Sequence, residues 1–216
     1  MNPSHQEPLS QPLSQPLSSG EVQGPNSRAF HSGALQEIQE AFAGLFSTAK
    51  GDNGLRTIPA LGTGNTASAG VQNPALSPDA ATGGTCQVTD PKVKGYHLDV
   101  SVTADQVVSA AELLDRHGFA IDTITGVDWM AAGQMEVVYD FFHPGAPWRV
   151  VVRTRVPRAN PEVPTISGVF PGANWHERET HDFFGIRFLG HPELKPLLLP
   201  KDATYHPLRK DFAGVG

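Results

Sequence analysis

Cysteine is nearly absent: Cys86 is the only one in 216 residues. That excludes an intrachain disulfide, and any cluster or zinc site built from several thiolates of this chain. Cys86 reads as a free thiol in a Gly/Thr/Ala-rich stretch. Charge is also sparse, at 18% of residues against about a quarter in ordinary soluble domains. No apolar run approaches the ~18 residues a membrane span needs. Met1–Glu7 carries neither the basic segment nor the apolar core of a secretory signal. A concentrated basic surface is missing too, with a formal net charge of −6, so the footprint of a nucleic-acid binder is excluded. Together these absences predict a cytoplasmic protein that meets a membrane only through partners.

The scarcity is uneven along the chain. Residues 1–90 hold 10 of the 38 charged side chains and 3 of the 17 aromatics (Phe30, Phe42, Phe46), against 19 of the 41 Gly and Pro. Only residues 91–216 have enough large apolar side chains to offset the entropy of ordering a backbone. The reading is a low-complexity, mostly disordered arm over 1–90 and one folded domain over 91–216.

Within the arm, residues 7–18 are a tandem tetrapeptide of the type Gln-Pro-Leu-Ser, whose prolines disfavour helix and sheet alike. At about 33–50 the pattern changes. Leu35, Ile38, Phe42, Leu45 and Phe46 follow helical spacing, with Ser32 to cap the start and Lys50-Gly51 to end the run. That predicts an amphipathic helix whose stripe either packs on its own domain or docks on another subunit. Gly62-Thr63-Gly64-Asn65-Thr66-Ala67 matches a dinucleotide fingerprint in letters only. The residues after it, ending at Pro74, cannot supply the long helix that would hold a pyrophosphate.

In the domain, Tyr96–Thr103 alternates apolar and polar as a half-buried strand does. Thr103 or Asp105 opens a helix that Gly118 stops. Phe119–Thr125 reads as a strand ending in a turn at Gly126-Val127-Asp128. Met135–Phe142 and Trp148–Val156 read as a hairpin across His143–Pro147. The expected class is α+β: a small mixed or antiparallel sheet with helices on one face, followed by a Pro-rich C-terminal tail. Arg149, Arg153 and Arg155 share one face of the last strand. They are either paired in scattered surface contacts or turned toward a partner's acidic surface.

Asn174 with Glu177 three residues on has the form of a capping box, and predicts a helix over Trp175–Phe184 stopped by Gly185. His176 and His181 are five apart, about 140° around a helix, which is the wrong geometry for a helical zinc site. The late histidines His176, His181, His191 and His206 have no regular ligand spacing. Glu177, Arg178, Glu179 and Asp182 crowd one short helix beside Trp175, Phe183 and Phe184. This set suits a rigid polar knot with Arg178 pairing carboxylates at an interface, since no nucleophile motif or phosphate loop accompanies it.

The stretch Asn174–Ile186, followed by Gly190-His191-Pro192-Glu193-Leu194-Lys195, resembles the signature of the 30-kDa (NuoC-type) subunits of respiratory complex I, the NADH:quinone oxidoreductase. That signature runs Glu-Arg-Glu, two residues, Asp, two hydrophobics, six residues, His, three residues and a basic residue. Glu177, Arg178, Glu179, Asp182, Phe183, Phe184, His191 and Lys195 meet it. His206–Phe212 is similar to the family's tail and Ile124–Asp128 to its second strand, so the resemblance covers about residues 96–212. His181 stands where the family commonly has Tyr, and Ala203-Thr204-Tyr205-His206-Pro207 where it has Trp-x-Gly-His-Pro.

The resemblance implies a non-catalytic structural subunit of the hydrophilic arm, with no active site or bound cofactor of its own. Its partners would be a large hydrogenase-like subunit and a small iron–sulfur subunit, which it braces during electron transfer to quinone. Iron–sulfur clusters, and nickel–iron in the hydrogenase branch of the family, are expected in those partners. The location implied is peripheral, on the cytoplasmic face of the inner membrane. Interface and signature residues would be Trp175, Glu177, Arg178, Glu179, Asp182, Phe183, Phe184, His191, Lys195, His206, Arg209 and Lys210. The departures leave a second reading: the equivalent small subunit of a membrane-bound, energy-converting nickel–iron hydrogenase or formate hydrogenlyase.

Overall fold

The computed structural model describes residues 33–49 and 84–214. The tetrapeptide repeat, the Gly62–Ala67 motif, Ser32 and the Lys50-Gly51 stop lie outside them. In chain order the elements are α1 (Ala34–Ala49), β1 (Thr85–Val88), α2 (Pro91–Lys94), β2 (Leu98–Val102), a 3-10 turn (Ala104–Gln106) running into α3 (Val107–Arg116), β3 (Ala120–Trp129), β4 (Gln134–Phe142), β5 (Arg149–Pro157), β6 (Glu162–Pro164), α4 (Ala173–Phe184) and β7 (Arg187–Leu189). The class is α+β.

Five strands form one sheet in the order β1-β2-β5-β4-β3, antiparallel except for the parallel β2–β5 pair. The connection through α3 carries the chain from β2 to the far edge, and the meander β3-β4-β5 brings it back alongside β2. Alternation then decides which face is buried. Leu98, Val100 and Val102 pair with Val150, Val152 and Thr154. Ile124, Gly126 and Asp128 pair with Tyr139, Val137 and Met135. All of these side chains lie on the inner face, packed against Val107, Ala110, Ala111, Leu113 and Leu114 of α3 and against α4. Ile38 and Phe42 of α1 are wholly buried in the same core, where the helix packs on α3 and β1. Of the two readings of this apolar stripe, packing on the chain's own domain is the one observed.

The outer face carries Arg149, Arg153 and Arg155, and each is paired within the chain. Arg149 contacts Asp122 and Asp140, Arg153 contacts Asp99 at 3.0 Å, and Arg155 contacts Glu136 at 3.1 Å while lying over the Trp129 ring. The basic face of this strand is therefore neutralised locally.

β3 corrects one expectation. Gly126-Val127-Asp128 is not a turn: the strand continues through it to Trp129, and the reversal comes at Met130–Gly133, where Gly133 has φ 63°. Gly126 serves packing instead. A Cβ there would lie 2.6 Å from the Phe184 ring of α4, so the missing side chain lets the helix seat on the strand. β6 pairs with β7 in parallel as a separate two-stranded sheet.

Candidate functional site

Helix α4 starts earlier than a capping box at Asn174 requires. The Pro171-Gly172 turn places Ala173 N–H on the Phe170 carbonyl at 2.9 Å and Asn174 N–H on that of Pro171 at 3.3 Å. No side chain caps the helix. Asn174 thus lies inside the first turn, and Glu177 faces inward rather than reaching back. Ala173, Glu177, Thr180 and Phe184 form the buried stripe, at spacings of four, three and four. Thr180 Oγ1 donates to the Ile124 carbonyl of β3.

The remaining signature side chains hold the segment from Gly190 onward, a tail of turns folded back along α4. Asp182 is buried, and one of its carboxylate oxygens accepts the backbone N–H groups of Leu197, Leu198 and Leu199 at 2.7, 2.8 and 3.2 Å. The Arg178 guanidinium donates to the carbonyls of Lys195 and Pro196, both at 3.1 Å, and lies over the Trp175 ring. Arg178 therefore pairs with backbone carbonyls, not with carboxylates. The run of carbonyls at 195–196 followed by amides at 197–199 needs a cation and then an anion one helical turn apart, and Arg178 and Asp182 supply them.

The C-terminal end of α4 is closed by the same tail. Gly185 takes φ 71° and its N–H reaches the His181 carbonyl. His206 Nδ1 donates to the Asp182 carbonyl at 2.9 Å, Leu208 N–H to Phe183, and Arg209 Nε to Phe184 at 2.7 Å. A basic group on orphan helix carbonyls is the favourable arrangement at this end. A Cβ on Gly185 would meet both His206 and Arg209 within 2.6 Å. Phe183 packs against the core, Glu179 is half-buried on the flank of α4, and Lys195 makes an exposed contact with Glu193 at 2.6 Å. Lys210 contributes through its backbone: its N–H donates to Asp128 at 2.8 Å.

Asp128, marked in the sequence only as part of the strand that resembles the family's second, and its partner Arg158 are not among the expected interface residues. The Asp128 side chain is fully buried and takes a two-pronged contact from Arg158 at 2.8 and 3.0 Å, while Arg158 also reaches Asp211 at 2.6 Å. The Arg158 hydrogen bonds hold the Asp128 carboxyl below the usual range despite its burial. A carboxylate sharing strand parity with Ile124 and Gly126 is the signal, but it shows only once β3 is known to run through 128. Thr165 is equally silent in the sequence, since nothing local marks its role as a donor to Glu177.

The late histidines do not converge. His181 bonds the Ile186 carbonyl, His206 that of Asp182, and His191 lies beside Glu177. Among the described residues no three His, Cys, Asp or Glu side chains are placed to hold a metal ion. Burial raises the Cys86 thiol to about 11, so it is protonated at neutral pH.

Replacing Asp182 with Asn should lower stability by about 1–2 kcal/mol, because neutral acceptors hold amides about half as well as charged ones. Denaturant melts would measure the loss, and hydrogen exchange should localise it to the amides of Leu197, Leu198 and Leu199.

The fold and this helix define an α+β domain whose charged helix organises a folded-back tail. The family described as "Respiratory-chain NADH dehydrogenase, 30 Kd subunit" matches residues 100–216. The chain belongs to that family. Among its relatives, an NADH-quinone oxidoreductase subunit of Roseiflexus sp. (strain RS-1) is 41% identical over 120 residues, covering 53% of this chain and 68% of the relative. An F(420)H(2) dehydrogenase subunit of Methanosarcina mazei is 42% identical over 93 residues, covering 43% of this chain and 59% of the relative. One chain of the membrane-bound sulfane sulfur reductase, described as an archaeal respiratory membrane complex, superposes with a TM-score of 0.54 at 28% identity over 62% of this chain and 79% of that one. Among the described residues no helix is long and apolar enough to cross a membrane.

Proposed function

We propose that this chain is the 30-kDa-type subunit of a membrane-associated, complex I-type oxidoreductase that passes electrons to quinone, and that its role there is structural. It braces a large hydrogenase-like subunit and an iron–sulfur subunit on the cytoplasmic side, and those partners carry the redox groups. The observation that carries this reading is the use made of the signature. Glu177, Arg178, Asp182, His206 and Arg209 all bond to the chain itself, so what they produce is a shaped surface. Trp175, Leu198 and Leu208, each more than half exposed, project from that surface. Exposed large apolar side chains on a rigid frame are the usual anchors of a protein interface.

Affinity purification of the tagged chain from its native membrane fraction tests this. A large subunit and an iron–sulfur subunit should co-purify in equal amounts; a chain recovered alone would contradict the reading. Trp175→Ala should weaken that association at least tenfold, the effect of about 1.4 kcal/mol in an anchor. Its melting temperature should stay close to that of the unaltered chain, because Trp175 is 61% exposed.

The departures from the family pattern at His181 and at Ala203-Thr204-Tyr205-His206-Pro207 favour a second reading, the equivalent subunit of an energy-converting hydrogenase-type complex. The co-purified large subunit separates the two: cysteine pairs that bind nickel would identify the hydrogenase branch.

A further inference from the structure

Beneath the tail, Glu177 occupies a position no structural clamp requires of an ionisable group. Its side chain and that of His191 are both completely buried, with His191 Nε2 3.9 Å from the carboxylate. The direct donors to Glu177 are Ile166 N–H at 2.8 Å and the Thr165 hydroxyl. No Lys or Arg pairs with it among the described residues. His191 cannot supply a close counter-charge as placed. Its Nδ1 accepts the Glu193 N–H at 3.0 Å, so the proton sits on Nε2, which is directed to the Asn174 carbonyl at 3.3 Å. A buried carboxylate with two donors and no cation is costly in its charged form.

We propose that Glu177, covered by His191, is a buried proton-binding site whose occupancy sets how firmly the tail is held to α4. Groups from neighbouring elements face the site. Below it, β4 presents the Tyr139 hydroxyl, which is wholly buried and has no hydrogen-bond partner among the described residues. Burial and the nearby Glu177 charge push the Tyr139 phenol well up, so it remains neutral. From the tail come His191 and Glu193. From α3, Glu112 lines a groove of about 510 Å³ together with Thr165, Ser167, Gly190 and Pro192. Thr165 both lines that groove and bonds Glu177, so the groove brings solvent to the edge of the site and gives the proton a short route.

Burial raises the Glu177 carboxyl to about 7, while the Thr165 and Ile166 bonds pull the other way and lose. A group whose affinity for the proton is higher in the closed state stabilises that state at low pH. Its contribution is complete below about 4.5, falls as pH rises, and is gone once pH passes about 7. Lifting His191 and Glu193 away wets the carboxylate and restores its ordinary acidity. Opening of the tail is therefore favoured about tenfold per pH unit across that window and levels off above it.

The full chain, with its glutamates labelled at the side-chain carboxyl carbon, tests this by NMR across the window. One carboxyl should titrate near 7, and its signal should be missing from Glu177→Gln. In the same samples, hydrogen-exchange protection of the Leu197, Leu198 and Leu199 amides, which bond Asp182 of α4, should fall about tenfold per pH unit up to 7 and then flatten. In Glu177→Gln that protection should not vary with pH. A Glu177 carboxyl titrating near 4.5, or the same pH profile in both proteins, overturns the proposal. The carboxyl titration uses the unaltered chain, so it decides even if the variant does not fold.

Discussion

Arg158→Leu should cost the domain about 2–3 kcal/mol, read as a lower denaturation midpoint with an unchanged slope. Removing the guanidinium leaves Asp128 fully buried with the Lys210 N–H as its remaining donor. The expectation stands at the low end for a broken buried pair because Arg158 keeps 19% of its side chain in water. The pH dependence has a definite sign. The Asp128 carboxyl is held below its ordinary value of 3.8, so its contribution is complete above about that pH and is lost as pH falls further. Arg158→Leu should therefore lose less stability than the unaltered chain on going from pH 6 to pH 3. Asp128→Asn/Arg158→Leu, which removes both charges, should recover part of the loss; a double variant no better than the single one would show that the cost comes from packing alone.

Gly126→Val should be at least as damaging, by about 3 kcal/mol, through a different mechanism. Its Cβ would overlap the Phe184 ring at 2.6 Å, and both the strand and the helix are fixed by other contacts. α4 would have to lift from β3, carrying with it the tail bonded to its far side. The control is Phe184→Ala in the same background. If the overlap is the cause, the double variant should be more stable than the sum of the two single losses predicts, by more than about 1 kcal/mol. Simple additivity would place the strain elsewhere.

Much of the architecture is legible in the sequence because it rests on short-range pattern. Val150, Val152, Thr154 and Val156 alternate with arginines, and Leu35, Ile38, Phe42 and Phe46 recur at helical spacing. In each case the burial follows the period. What escapes is set by contacts distant in sequence. Gly126 reads as a turn residue because its neighbour Phe184 is 58 positions away. β1 has four residues and β6 three, too short for alternation to register. The α4 side chains stand out as a group, but their individual roles do not. Asn174 and Glu177 have the spacing of a cap, and only the Pro171-Gly172 turn and the donors at 165–166 redirect Glu177 inward. Arg178 looks like a carboxylate partner until the carbonyls of 195 and 196 are placed against it. Chemistry suggested by residue type holds where the partner is a neighbour, and changes where the partner is backbone from another part of the chain.

The bonding of residues 206–211 to α4 and to Asp128 has a consequence for how the protein is made. Synthesis proceeds from the N-terminus, so the sheet strands and α4 emerge before the groups that close the helix end and contact the buried carboxylate. A nascent chain halted near residue 200 would hold the helix with its last carbonyls unmet and Asp128 lacking the Lys210 amide. The surface bearing Trp175, Leu198 and Leu208 therefore reaches its finished shape only in chains translated past residue 211. Any partner that recognises that shape also tells chains that include residues 206–211 from shorter ones.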